Sequence, residues 1–157
     1  MKNLFILIVT CFISVVSLSM HAAIGDSPSA AKKLYGSPIE GQPNMLNVGG
    51  KHLHYKCALF NSLITVEAIF LDRECVGVRY ATVPLATDEN TALTPLVANK
   101  LLDENGSQSN WIWTSTQNNR REYIHKRFFY TATYDNISLT IWSKAGLLRA
   151  SEAPLAE

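Results

Sequence analysis

YKCALFNSLITVEAIFLDRECVGVRY, residues 55–80, decides the fold of this chain. Apolar and polar side chains alternate here in three runs, which predicts three strands that share one buried face. The runs are Leu53 to Leu59, Ile64 to Phe70 and Val76 to Tyr80. The links between them, Asn61-Ser62 and Asp72-Arg73-Glu74, are short and rich in turn-forming or charged residues, which favours antiparallel hairpins. We therefore predict a three-stranded meander.

The polar face of the meander indicates how its strands pair. Pairing across the two short links puts Glu67 opposite Lys56 on one side and opposite Arg79 on the other. Opposite charges directly across strands contribute about 0.2–1 kcal/mol per pair, and a one-residue slip would turn the apolar set toward solvent. We predict a ladder of alternating charge in this register.

Two cysteines, Cys57 and Cys75, lie in the meander. In the predicted register Cys75 lies about 17 Å further along the strand direction, and the two side chains point to opposite faces. A disulfide needs Cα atoms within about 7 Å. Exported chains usually pair their cysteines, but the geometry outweighs that expectation, and we predict no bond between the two. Cys57 is then a small core residue and Cys75 a partly exposed thiol.

Two short helices are predicted around the meander. TPLVANKLLDENG, residues 94–106, has a capping Thr94 before a proline and an Asn-Gly stop. SPSAAKKLYG, residues 27–36, has the same layout with Ser27 as the cap and Gly36 as the stop. The apolar residues expected to pack the first of these helices on the sheet are Leu93, Leu96, Val97 and Leu101.

The last third of the chain returns to strands. Asp135-Asn136 separates two alternating runs, YTATY and ISLTIW, which is typical of a two-residue hairpin turn. Pairing across that turn puts Ala132 opposite Leu139 on the core face. It leaves a threonine-rich reverse face.

The reverse face of this hairpin is the predicted binding surface. It carries Phe129 beside Trp142, with Trp111 and Trp113 as neighbours. Exposed apolar patches often mark binding sites. A local lid, made by the loop of residues 39–50 or the tail after Lys144, is the open alternative.

The N-terminal segment MKNLFILIVTCFISVVSLSMHAA predicts export. Lys2 precedes an apolar run from Leu4 to Leu18, which is the layout of a secretory signal peptide and is shorter than the roughly 20 residues of a membrane span. We predict removal of residues 1–22, with Cys11 among them, and a secreted or periplasmic protein. An uncleaved anchor is the alternative, and only that form would contact a membrane.

The charge balance argues against nucleic-acid binding. Loss of Lys2 from the 14 basic residues leaves 13, which equals the 13 acidic ones. Affinity for nucleic acid rests on clustered basic residues that neutralise phosphates. No nucleic-acid partner is expected.

The elements together predict one α+β domain. Its curved antiparallel sheet of about six strands combines the meander, a helix and the C-terminal hairpin, with two short helices on one face. The expected boundaries are a signal peptide over 1–22, a short helix and irregular linker over 23–50, the domain core over 51–145 and a C-terminal tail over 146–157.

Residues able to carry chemistry are few. His52 and His54 share a strand face but lack the further ligands that zinc needs, so no metal and no cofactor are predicted. No nucleophile elbow is present. The predicted sheet brings Cys75 close to His52, and a small exported enzyme that uses this thiol is the alternative function.

A resemblance follows from the short helix ending in LYGSP, residues 34–38, the irregular link, and ITVEAIFLDRECVGVRY, residues 64–80. This order resembles a group of small exported bacterial proteins and is similar, more distantly, to the SmpA/OmlA outer-membrane assembly lipoproteins and the beta-lactamase-inhibitor-protein fold. Members of those families bind proteins. The resemblance implies a non-catalytic binding or assembly module with a protein partner, and it carries over no functional residue.

Overall fold

A computed structural model describes residues 24–83, 92–106 and 108–152, and the predicted signal peptide with its cysteine lies outside them. The helices along the described residues are α1 (Pro28–Tyr35), α2 (Pro95–Glu104) and α3 (Lys144–Glu152). The strands are β1 (Lys51–Leu59), β2 (Ser62–Leu71), β3 (Glu74–Thr82), β4 (Trp111–Gln117), β5 (Arg120–His125), β6 (Thr131–Tyr134) and β7 (Ser138–Trp142). A single 3₁₀ turn, Gln108–Asn110, precedes β4.

All of these strands form one antiparallel, open sheet in the order β1-β2-β3-β7-β6-β5-β4. Two meanders, β1–β3 and β4–β7, join through the pairing of β3 with β7. The predicted α+β class and the first meander are confirmed. The described chain has seven strands and three helices, one more of each than the sequence predicted.

The tight turns explain an error in the predicted register. The turn between β1 and β2 consists of Phe60 and Asn61, both with positive φ, so Leu59 pairs with Ser62. The sequence had favoured a turn one residue later, at Asn61-Ser62, because both of those residues commonly form turns. The pairing therefore slips by two residues, which keeps every side chain on its expected face.

The charge ladder is half right. Glu67 lies opposite Arg79 as predicted, but its partner on β1 is His54. Lys56 lies opposite Thr65. The two-residue slip at the first turn accounts for this difference.

A bulge in the second hairpin changes the position of Cys75. The register of β2 and β3 shifts after Ile69, so Cys75 pairs with Phe70 and is fully buried in the main core. The prediction of a partly exposed thiol is wrong. Both cysteines are free and point into this core, with Cys57 partly buried.

Distance alone keeps the two thiols apart. Cys57 pairs with Ile64 and Cys75 with Phe70, both on β2. Those partners are six residues apart, which is about 20 Å along a strand. This distance is too long for a disulfide, as predicted. The second argument, that the two side chains point to opposite faces, is wrong.

Helices α1 and α2 cover the first face of the sheet, over the main core. Their predicted caps are confirmed, because the Ser27 and Thr94 hydroxyls accept backbone hydrogen bonds from Ala30 and Val97. Leu96 is 67% exposed, and its predicted packing is wrong. The buried residues at the start and along α2 are Leu93, Val97, Ala98, Leu101 and Leu102.

The second face has a smaller core that the third helix closes. Trp142 packs there with Ile69 and Val76, under Val48 of the loop and Ala150 of α3. Residues 144–152, which were largely expected to be a tail, thus form a helix that covers this face together with the loop. The sequence left open whether the loop or the C-terminal segment covers the aromatic face. For Trp142 the structure shows such a cover.

The close approach of α3 depends on two glycines. A Cβ atom on Gly77 would lie 2.2 Å from the Trp142 ring, and one on Gly146 would lie 2.2 Å from the Val76 carbonyl oxygen. Neither position has room for a side chain. Trp142 can therefore lie on Gly77 of β3, and α3 on Val76 and Trp142, only because both residues are glycine.

The turn of the C-terminal hairpin also differs from its prediction. Tyr134 pairs with Leu139 and Ala132 with Ile141, so the loop is longer than two residues. Asp135 Oδ1 accepts hydrogen bonds from the backbone of the residues that follow, which stabilises the longer loop. The expected core face is nevertheless buried, because this slip is again by two residues.

Candidate binding surface

The aromatic residues predicted to form one surface lie in different places. Trp142 belongs to the second core, and Trp111 packs on the main core with its Nε1 donating to the Leu102 carbonyl oxygen at 2.7 Å. Trp113 and Phe129 are exposed by 63% and 68%. The predicted pairing of Phe129 with Trp142 is wrong, because Trp142 pairs with Thr131.

The two edges of the sheet are built differently. On β4 the sequence WIWTSTQ contains no charged residue and no proline, and Ile112 and Trp113 are exposed. The other edge, β1, carries Lys51 and Lys56, and Ile39 bridges its His54. Proteins commonly protect edge strands with lysines and covering segments. By this measure β1 is protected and β4 is open.

A bulge and an indole occupy part of the β4 edge. Thr114 donates its hydroxyl hydrogen to the Glu122 carbonyl oxygen of β5 at 3.1 Å, at the register shift after Trp113. The Trp113 Nε1 donates to the Ser115 carbonyl oxygen at 2.7 Å. The stretch from Trp111 to Trp113 is therefore the regular part of this edge.

The turn between β5 and β6 surrounds a buried histidine that sequence reasoning missed. His125 is fully buried, its ring stacks on Phe128 at 4.9 Å, and it meets Trp111 edge-on at 5.0 Å. Its Nδ1 accepts from the Phe128 backbone N–H at 3.1 Å, so Nε2 carries the hydrogen and donates to the Gly106 carbonyl oxygen. This neutral ring fixes the turn against the start of β4.

Phe129 lies at the end of the same turn in a strained conformation. Its φ is 54°, and its N–H donates to the His125 carbonyl oxygen at 3.0 Å. A bulky residue in this left-handed region costs about 1–2 kcal/mol. Because the ring is largely exposed, packing does not offset this cost, and such strain is concentrated at functional sites.

The residues of the alternative enzyme site do not meet. Cys75 lies in the main core, and burial, the largest cause, raises its pKa to about 12. His52 lies on the other face of the sheet, where its Nδ1 contacts Glu67 at 2.8 Å. The predicted proximity of the two is wrong, because the bulge moves Cys75 to the opposite face.

The histidines also offer little to a metal. Both ring nitrogens of His52 are engaged, one by Glu67 and the other by the Val48 carbonyl oxygen at 2.8 Å. The Nε2 of His54 lies 3.1 Å from Asn44 Oδ1. In the part of the chain that the structure describes, no three His, Cys, Asp or Glu side chains form a group that could hold a metal ion.

Comparison with known proteins gives distant structural likenesses. No protein-family model and no curated protein matches the sequence. The fold is similar to an extracellular SCP-domain protein of Bacillus anthracis, with 10% identity, a TM-score of 0.38, and coverage of 81% of this chain and 46% of that one. A cysteine-rich secretory protein of Staphylococcus aureus gives 12% identity, a TM-score of 0.36, and coverage of 80% and 46%. The chain thus spans less than half of either protein.

The described helices are all short. None of them is long and apolar enough to cross a membrane.

Proposed function

We propose that this chain is an exported, non-catalytic module that binds a protein partner through the β4 edge. An extended segment of the partner adds a strand beside Trp111–Trp113. In this mode, backbone hydrogen bonds give affinity and alternate side chains give specificity. The observation that carries the proposal is the contrast between the uncharged, uncovered β4 and the protected β1.

Two exposed aromatic residues flank the proposed docking edge. Trp113 lies on β4 itself, and Phe129 lies in the turn held against the start of that strand by His125. Aromatic side chains of this kind are frequent anchors of protein interfaces. We include Trp113 and Phe129 in the proposed binding surface, as predicted from the sequence.

The charge around the edge favours an acidic partner segment. The exposed basic residues of β5 and its turn are Arg120, Arg121, Lys126 and Arg127. Complementary charge speeds association and excludes wrong partners. Export from the N-terminal segment and the resemblance to protein-binding families support the same function.

Selection of displayed peptides against the full chain tests this proposal. We expect selected peptides to be extended and acidic and to slow hydrogen exchange at the amides of residues 111–113. Ile112→Glu should weaken their binding at least tenfold, because it adds a charge to this edge that repels an acidic peptide. Ala58→Glu places the same charge at an exposed position on β1 and should leave binding unchanged.

Three results would contradict strand addition at β4. They are a selection without binders, protection confined to another surface, and equal effects of the two glutamate variants. A melting curve for each variant confirms that the proteins compared are folded.

A further inference from the structure

A cleft lies between the loop after α1 and the second face of the first meander. Its volume is about 100 Å³. A neighbouring cleft shares Ile39, Gln42 and His54 with it. Small-molecule sites usually have volumes of roughly 300–1,000 Å³, so this cleft has room only for a short ligand.

The carboxylate in this cleft already has its partners. Glu67 is 4% exposed, and its Oε1 accepts from His52 Nδ1 at 2.8 Å and from the Met45 backbone N–H at 3.1 Å. The Leu46 N–H donates to the same oxygen at 3.3 Å. A ligand therefore has little to gain from this group.

His52 contacts that carboxylate from β1. Its Nδ1 lies 2.8 Å from Glu67 Oε1, and its Nε2 lies 2.8 Å from the Val48 carbonyl oxygen. These two contacts fasten the loop to β1 and β2.

Arg79 is a cation of the cleft wall that has no partner among the described residues. It lies directly opposite Glu67 on β2 and Thr140 on β7, and its side chain is partly buried. Within the described residues its guanidinium has no ion pair and no hydrogen bond to the protein, since Glu67 is held toward the loop. Because Arg79 lines the cleft, its guanidinium is accessible to an external anion.

We propose that Arg79 binds the carboxylate of a small organic acid in this cleft. The planar guanidinium matches a carboxylate with two parallel hydrogen bonds. One unpaired cation balances one negative charge, which favours a monoanion over a phosphate dianion. The apolar residues of the wall, Ile39, Pro43 and Met45, suit a short aliphatic chain on the acid.

Hexanoate is the probe for this site. Titration of the full chain, followed by NMR at the Met45 methyl and Arg79 Nε–H signals, should give a saturable shift. Hexanamide has the same chain without the charge and should give none. Arg79→Gln should weaken hexanoate binding at least tenfold, whereas Arg73→Gln, in the exposed β2–β3 turn, should bind like the unchanged protein.

Each other outcome overturns the carboxylate site. These outcomes are no saturable shift, equal shifts with acid and amide, and unchanged binding by Arg79→Gln. If Arg79→Gln has a lowered melting temperature, Arg79→Lys is used in its place. This variant should bind hexanoate more weakly but still saturably, because lysine keeps the positive charge and lacks the two parallel hydrogen bonds of the guanidinium. The selected β4 peptides should bind Arg79→Gln normally, which separates this proposal from the one on the edge.

Discussion

Phe60 and Phe129 show what a strained phenylalanine does at two different sites. Both have positive φ, at 51° and 54°. The Phe60 ring packs on the main core, and the Lys100 ammonium lies 5.2 Å from its centre, so contacts offset the strain. Phe129 is 68% exposed and has no such compensation. Its strain is consistent with selection for binding at the expense of stability.

Phe129→Asn should therefore stabilise the protein. Asparagine tolerates the left-handed region better than phenylalanine, and little packing is lost. We expect a gain of about 0.5–1 kcal/mol in the free energy of unfolding, which is a rise of about 1–4 °C in melting temperature for a chain of this size. Peptides selected on β4 should bind this variant more weakly.

Phe128→Asn is the matched control in the same turn. That ring stacks on His125 and Tyr130, so its loss should lower the melting temperature. A lower melting temperature for Phe129→Asn as well would show that Phe129 is packed and would remove the argument from strain.

At the scale of elements, the sequence predicted which face of the sheet a residue lies on better than it predicted which residues pair across strands. Alternation fixed which residues of the meander are buried, because a slip by two residues leaves the faces unchanged. The turn residues were harder to predict. Phe60 enters a turn because its ring finds contacts on the core and α2, which are distant in the sequence.

The third helix explains why the candidate site was predicted only in part. Helix α3 packs through Gly146, while Leu147 and Leu148 remain exposed, so its sequence shows no apolar stripe to reveal the buried side. Without this helix Trp142 was expected on an open face. Trp113 and Phe129 needed no such knowledge, and both are exposed.

The contact between Trp142 of β7 and Gly77 of β3 gives a prediction at the element scale. Gly77→Ala should destabilise the protein by about 1–3 kcal/mol, because the methyl group would overlap the Trp142 ring and force it to move. Gly49→Ala is the control, since a Cβ atom there meets nothing within 4 Å. Chemical denaturation measures both. Equal midpoints for the two variants would show that the Trp142 ring packs loosely on β3.

At the scale of the whole molecule, one sheet joins two cores. β2 and β3 contribute residues to both, such as Val66 and Ile69 from β2 and Val78 and Val76 from β3. Neither core can open without disturbing these shared strands. We therefore expect the described domain to unfold as one cooperative unit.

Cys75 reports on that unit because it is fully buried where β2 and β3 meet. Thiols react as thiolates, and burial raises the pKa of Cys75 to about 12, so the folded protein should resist iodoacetamide at pH 8. Its alkylation rate should rise with denaturant in parallel with the global unfolding equilibrium.

The partly buried Cys57 is the internal control, and it should react faster at low denaturant through local opening. Mass spectrometry of peptides measures the two rates separately. Reaction of Cys75 at a rate independent of denaturant would mean that the β2–β3 end opens locally and that the two cores are not one unit.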